Sequence, residues 1–342
     1  MSDANVGTIA HNDIIAEEFQ THIRNLDRRN RMMQVAPIIV LVVIFIIFAI
    51  GAPGFISVKN FFNLLNQMSI PLIVATGITF VVLIGSIDLS VDGVMGLSGA
   101  MAGLLVLNDK TPFNLGFFGV IIAVLIAGLC GFVTGLISVK GKIPSFMVSF
   151  AMSSITYGFA MLSYGALPPI INDTSVRAIA LTKIGNLPIF FYIAVVLFVV
   201  ALIVQDKTAT GKHIYAIGEN ESLAKISGVN VDKVKIAVFA LAGLFVGVGG
   251  ICGAAQLGRG DVSVGTGMVF PALAAVVVGG TSLAGGKGGV QRTLIGVLII
   301  TILNNGLVLI GANAYFKDGI VGIILIIAVV TTISRNSKMV AK

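Results

Sequence analysis

The feature that most constrains this chain is a succession of apolar runs, each close to bilayer-spanning length, that opens at Val35 and continues almost to the last residues. A helix needs roughly 20 apolar residues to cross the hydrocarbon core. Windows of that size place ten spans, at 35–52, 62–85, 93–107, 116–138, 144–164, 188–204, 234–256, 268–283, 293–311 and 319–333. The third and eighth are short and glycine-rich. A soluble fold would need far more charge, since only 11% of the 342 residues are Asp, Glu, Lys or Arg against about 25% in water-soluble domains. The expected class is therefore an all-α membrane protein with about ten transmembrane helices.

Orientation follows from the loops, because Lys and Arg are retained on the cytoplasmic side. With the N-terminus inside, cytoplasmic segments hold sixteen of the 22 basic residues, including Arg24, Arg28, Arg29, Arg31, Lys140, Lys142, Lys207, Lys233 and Lys287. The remaining six are Lys59, Lys110, Arg177, Lys183, Arg259 and Lys317. An even number of spans returns the C-terminus to the cytoplasm. The expected organisation is a cytoplasmic tail over 1–34, a polytopic domain over 35–335 with a long inner loop at 205–235, and a short cytoplasmic tail over 336–342. The first apolar run lies too far from Met1 for a cleaved signal, so the N-terminus is read as mature. Within the tail, Asn12 precedes Ile15, Phe19, Ile23 and Leu26 at helical spacing. That stripe fits either a helix on the inner membrane surface or a partly ordered leader.

Several function classes drop out. The net charge of +7 comes from residues scattered between apolar runs rather than gathered with aromatics on one face, which argues against nucleic acid. His11, His22 and His213 have no metal-ligand spacing, and Cys130 and Cys252 both lie in apolar segments with no staple framework. The segment Gly279–Gly288 superficially resembles a phosphate loop, but such a loop needs Gly, four residues and then Gly-Lys-Ser/Thr. Here Thr281 stands five before Gly286, and Gly288 follows Lys287. The glycines are better read as points where helices approach closely or break.

The remaining polar features each admit two readings. Asp88 and Asp92 are the acids nearest a span interior, where an ionisable group points to function. Both also precede Gly93, where a restarting helix would use them as caps. Neutral polar positions within spans include Asn66, Gln67, Ser153, Tyr157, Asn304 and Asn305; these suit a hydroxyl-rich uncharged solute, and also interhelical hydrogen bonding. The outer loop at 165–187, with Asn172, Asp173, Arg177 and Lys183, fits either a partner surface or an ordinary connection. In the inner loop, Asn220 suits an N-cap, Glu221 and Ser222 the first turn, and Gly228 the left-handed C′ position, with Leu223, Ala224 and Ile226 as an apolar face. A two-turn helix needs a receiver for that face, either the chain's own spans or a cytoplasmic subunit. Finally, Val82–Leu89 resembles Val276–Leu283, a hint of internal duplication.

Four motifs carry a family resemblance. Gly85-Ser86-Ile87-Asp88-Leu89-Ser90-Val91 resembles the Gly-Gly-Ile-Asp-Leu-Ser-Val signature of ribose- and galactose-type ABC importer permeases. The run Ala216–Val231, with Gly218, Glu219, Asn220, Lys225 and Gly228, is similar to their long cytoplasmic loop. Val278–Gly286, with Gly279 and Gly280, and Leu303–Leu307 match a third and a fourth motif. The departures are Ser86 for a second Gly, Asp92 for Gly or Ser, and Glu219 for Gly. The resemblance covers about 35–335 and implies a vitamin-B12/ribose permease-like architecture in the bacterial cytoplasmic (inner) membrane. It also implies a second permease copy, a cytoplasmic ATPase carrying ATP and Mg²⁺, and an external sugar-binding protein; this chain itself would bind no cofactor. Residues 218–228 would be the coupling helix received by the ATPase, and substrate would pass by alternating access. A permease for nucleosides or branched-chain amino acids is the near alternative. A self-sufficient secondary transporter or channel would show a deep ionisable residue or a charge ring, and a membrane enzyme would show a nucleophile–base or metal cluster; neither pattern is visible.

Overall fold

The computed structural model describes residues 35–313 and scattered positions as far as 326. The N-terminal stripe at 15–26 and most of the 319–333 run lie outside the described residues. Six helices are long and apolar enough to cross a membrane: α2 (Val58–Leu83), α4 (Phe117–Gly141), α5 (Ser145–Tyr164), α7 (Ile189–Lys207), α10 (Val231–Leu257) and α12 (Val290–Leu309). Between them stand shorter elements. These are α1 (Val35–Gly51), α3 (Val91–Leu105), α6 (Thr174–Leu181), α8 (Ala209–Glu219), α9 (Glu221–Ile226) and α11 (Val269–Val278). A two-stranded hairpin pairs β1 (Lys183–Ile184) with β2 (Leu187–Pro188), and a 3₁₀ turn covers Val262–Gly265.

The chain is a multi-pass membrane protein, and successive helix ends alternate between two faces. On the basic face, Lys140 at the end of α4 pairs with Asp232 at the start of α10 at 2.9 Å. The α2 terminus meets the loop before α12 there, with Gly286 N–H donating to Leu83 O. On the opposite face, Lys110 Nζ donates to the last carbonyl of α5, at Tyr164, and Arg177 of α6 donates to Ala255 O near the end of α10. The 165–187 loop folds over that face. Asp173 caps α6, and short backbone bridges join Asn108 to Ile171 and Ile170 to Arg259.

Helix α10 is the hub, and small residues explain why. A Cβ placed on Gly131 of α4 would overlap Phe239 O, and one on Gly243 would overlap Ala127 O. The two backbones touch, which is how membrane helices gain contact where burial from water gives no drive. On its other sides, α10 sets Gly250 against Met95 of α3 and Gly249 against Val74 of α2. The largest fully buried side chains, among them Phe80, Phe190, Phe239 and Ile73, fill the remaining space.

Two of the expected spans begin inside the bundle. The α3 helix opens at Val91, about half-way up the bundle rather than at its basic face: Gly93 packs on Ser153, in the middle of α5. After α10 the chain turns back inward through the 3₁₀ segment, and α11 starts at Val269 beside Asp92. With ten residues, α11 is about 15 Å long, half of a bilayer core roughly 30 Å thick. Thus the run 268–283 is a half-helix preceded by a re-entrant dip.

Candidate functional site

The segment joining α2 to α3 runs extended through the protein interior, where every amide needs a partner. Gly85 N–H and Ser86 N–H close the α2 end on Val82 O and Val81 O, with Gly85 at φ 71° as this cap requires. The Ile87, Leu89 and Gly93 amides then donate to Ser145, Ser149 and Ser153 Oγ, at 3.1, 2.9 and 3.2 Å. These serines recur every four residues along one face of α5, a ladder of acceptors for the re-entrant strand. Ser90 N–H and Oγ–H both donate to Asp88 Oδ1, at 2.8 and 2.6 Å. The α11 end carries the same cap as α2: Gly280 N–H and Thr281 N–H reach Val277 O and Val276 O. The matching cap geometry aligns Gly85 with Gly280, one residue off the sequence match of Val82 with Val276.

The two acids divide in a way their neighbours in sequence do not reveal. The helix restarts two residues before Gly93, and Asp88 organises the turn ahead of it. Asp92, in the first turn of α3, instead reaches across to α11. Its Oδ1 accepts from Met268 N–H and Val269 N–H at 3.0 and 2.8 Å, and its Oδ2 from Gly267 N–H at 2.9 Å.

Three of the four sequence motifs converge at the basic face. A Cβ on Gly218, near the end of α8, would overlap both Leu83 O and Gly286 N. Gly285 (φ 88°) lies against Gly85 N and Gly218 O, and Gly286 (φ 69°) against Glu219 N. Backbone thus meets backbone where the signature segment, the inner loop and the Gly-rich turn come together. The turn is fastened further. Gln205 Oε1 accepts from Val290 N–H, Gln205 Nε2 donates to Gln291, and Tyr215 Oη donates to Gly288 O at 2.9 Å. Burial, and then the nearby charge of Asp206, push the Tyr215 phenol above its ordinary range, so it remains a donor. The amides of Gly285, Gly286 and Gly289 are engaged by Ser282 O, Leu83 O and Thr281 Oγ1.

From this junction α9 projects. Asn220 Oδ1 accepts from Leu223 N–H, Glu221 pairs with Lys235 at 2.6 Å, and Gly228 sits at φ 86°. Its apolar face splits. Ala224 is 4% exposed and belongs to the main core, whereas Leu223 and Ile226 are 60% and 84% exposed. The chain's own spans receive Ala224, and among the described residues nothing covers the other two. Sequence spacing had grouped all three on one face.

The neutral polar positions separate into fastened and open groups. Asn305 Oδ1 accepts from Asn60 Nδ2 at 3.0 Å, joining α12 to α2, and Ser153 is taken by the ladder. Asn66 and Asn304 each have a buried Oδ1 with no hydrogen-bond partner among the described residues, as does the Thr76 hydroxyl. Gln67 and Tyr157 are exposed on α2 and α5. Pro71 also lacks the N–H that would satisfy the Gln67 carbonyl. Thr79 of α2 meets Thr293 of α12 at 2.6 Å.

A family model described as branched-chain amino acid transport system / permease component matches residues 60–329. The chain is 38% identical over 282 residues to the ribose import permease protein of Haemophilus influenzae, covering 81% of this chain and 86% of that one. It is 35% identical over 303 residues to the ribose import permease protein of Escherichia coli K12, covering 87% and 93%. Identity to the galactose/methyl galactoside import permease protein of Haemophilus influenzae is 33% over 294 residues, covering 81% and 87%. No solved structure matches the chain.

Proposed function

The chain belongs to the branched-chain amino acid transport system / permease component family, and from that premise we propose that it is the membrane-spanning subunit of an ATP-driven monosaccharide importer. Its relatives are ribose and galactose import permeases, and the solute is of that kind. In this reading the chain sits in the bacterial cytoplasmic membrane and crosses it ten times, counting α1, α3, the re-entrant 262–278 segment and the 319–333 run. Both termini and the basic face are cytoplasmic. A second copy completes the path, a soluble binding protein delivers sugar to the face formed by 165–187, and a separate ATPase subunit handles ATP and Mg²⁺.

The observation that carries this proposal is the pairing of two exposed apolar side chains, Leu223 and Ile226, with the glycine junction beside them. An apolar pair on a helix this short gains its receiver from a partner. Docking there would push on a backbone joint that also grips the segments leading into α3 and out of α11. Ala224 takes no part in docking; it secures α9 to the chain. The open Asn66 and Asn304 carbonyls and the Tyr157 hydroxyl offer neutral donors and acceptors, which suits a sugar better than an ion.

The test is reconstitution of the chain with its ATPase and binding protein in proteoliposomes, supplying labelled ribose, galactose and leucine in turn. ATP-dependent uptake of a sugar and none of leucine is expected. Leu223→Arg and Ile226→Arg should each cut ATPase co-purification and uptake by at least tenfold while leaving membrane insertion unchanged. Uptake by the chain alone without ATPase would overturn the proposal.

A further inference from the structure

Asp92 is one of the three positions where this sequence departs from the family motifs, and its carboxylate bridges two helices. One carboxylate stands at the positive ends of two half-helices together: it lies in the first turn of α3 and accepts all three amides, Gly267, Met268 and Val269, that lead into α11. Met268 N–H is shared with Gly265 O at 3.1 Å, whereas Gly267 and Val269 N–H have no other acceptor among the described residues; an unpaired amide at membrane depth costs several kcal/mol. No other side chain among the described residues bonds to them. The close approach around it is backbone-tight as well, since a Cβ on Gly265 would overlap Asp92 O.

The position matters because the far end of α11 is also joined to the strand that leads into α3. The strand before α3 and the turn after α11 meet at the Gly85–Gly285–Gly218 junction. The re-entrant pair thus forms a closed frame, fastened at the basic face by glycine backbone and in the middle of the bundle by one carboxylate.

We propose that Asp92 is the positioning residue that makes α3 and α11 move as one body, so that displacement of α8–α9 reaches both half-helices together. Without it the junction still moves but the amino end of α11 is released, and the work done at the basic face is no longer delivered to the path. The transport consequence rests on the importer reading; the fastening itself does not.

The test separates the two. Amide exchange of residues 267–269 is measured in the full-length chain in lipid nanodiscs, where neither sugar nor ATPase is required. Asp92→Gly should exchange at least tenfold faster than wild type at these amides, and 100 mM acetate, which refills the vacated carboxylate place at a helix amino end, should restore at least half of the protection. Asp92→Asn, which keeps the shape but turns one acceptor into a donor, should fall between and guards against misfolding of the glycine variant. In the reconstituted importer, sugar moved per ATP hydrolysed should fall at least fivefold in Asp92→Gly at unchanged basal ATPase, with partial recovery in acetate. Unchanged exchange at 267–269, or faster exchange with an unchanged transport ratio, overturns the proposal. If the wild-type chain moves no sugar with any partner, the importer reading fails while the exchange result still decides the fastening.

Discussion

At the scale of single residues, the controlling problem is a non-helical backbone inside a membrane protein. Serine is a modest residue in a span, yet Ser145, Ser149 and Ser153 occupy successive turns of α5 so that each Oγ meets an amide of the 87–93 segment. Removing one acceptor leaves a buried donor unpaired, which costs about 1–3 kcal/mol. Ser149→Ala should therefore lower the melting temperature of the detergent-solubilised protein by several degrees, because Ser149 is fully buried and Leu89 N–H has no other acceptor among the described residues. The neighbouring Ser154→Ala, on an exposed position of the same helix, should leave melting within a degree. Equal effects from the two would mean that the ladder contributes nothing specific. The serine spacing was present in the sequence; its purpose was not, because the strand it serves lies about sixty residues earlier and reads locally as part of a helix pair.

At the scale of elements, apolar length located the helices well: each of the first nine expected spans falls on a helix. What local pattern does not reveal is where a span stops half-way. The runs 93–107 and 268–283 are apolar enough to read as crossings, and only contacts between residues about 175 apart, such as Asp92 with Met268, show that their amino ends meet inside. The face of α9 is hidden from local pattern for a related reason. Helical spacing groups Leu223, Ala224 and Ile226, but in six residues the deciding factor is which side chain the neighbouring helices bury. The glycine junction, by contrast, was signalled by three separate motifs, whose common feature became visible only when they met in space. Its tightness makes a sharp expectation. Gly218→Ala places a methyl against Leu83 O and Gly286 N, and overpacking of this kind costs typically 1–3 kcal/mol. The expected outcome is a protein that inserts but loses most ATP-dependent uptake, whereas Gly228→Ala, with open space around its Cβ, should pay only the strain of its positive φ and keep more activity. Higher uptake in Gly218→Ala than in Gly228→Ala would show that the junction does not transmit motion.

At the scale of the whole molecule, function depends on sidedness, since an importer must meet its sugar on one face and its energy source on the other. The structure gives each face its own marker. Ile226 on α9 and Ile184 at the β1–β2 hairpin are both well exposed, at 84% and 57%, and they belong to opposite ends of the helix bundle. Ile184 sits beside the α7 start, while α9 follows the α7 end by way of α8. Replacing each with cysteine in a chain whose Cys130 and Cys252 are changed to alanine permits labelling with a membrane-impermeant maleimide. In right-side-out vesicles Ile184→Cys should label and Ile226→Cys should not; in inverted vesicles the pattern should reverse. Charge predicts this polarity independently of any relative, because the basic residues of the described inner segments, from Lys140 to Lys287, gather on the α9 face. Labelling of both cysteines from one side would refute the alternation of helix ends and, with it, the separation of sugar entry from energy input. Reversed labelling would leave the fold intact but place the exposed Leu223–Ile226 pair outside the cell, where no ATPase could reach it.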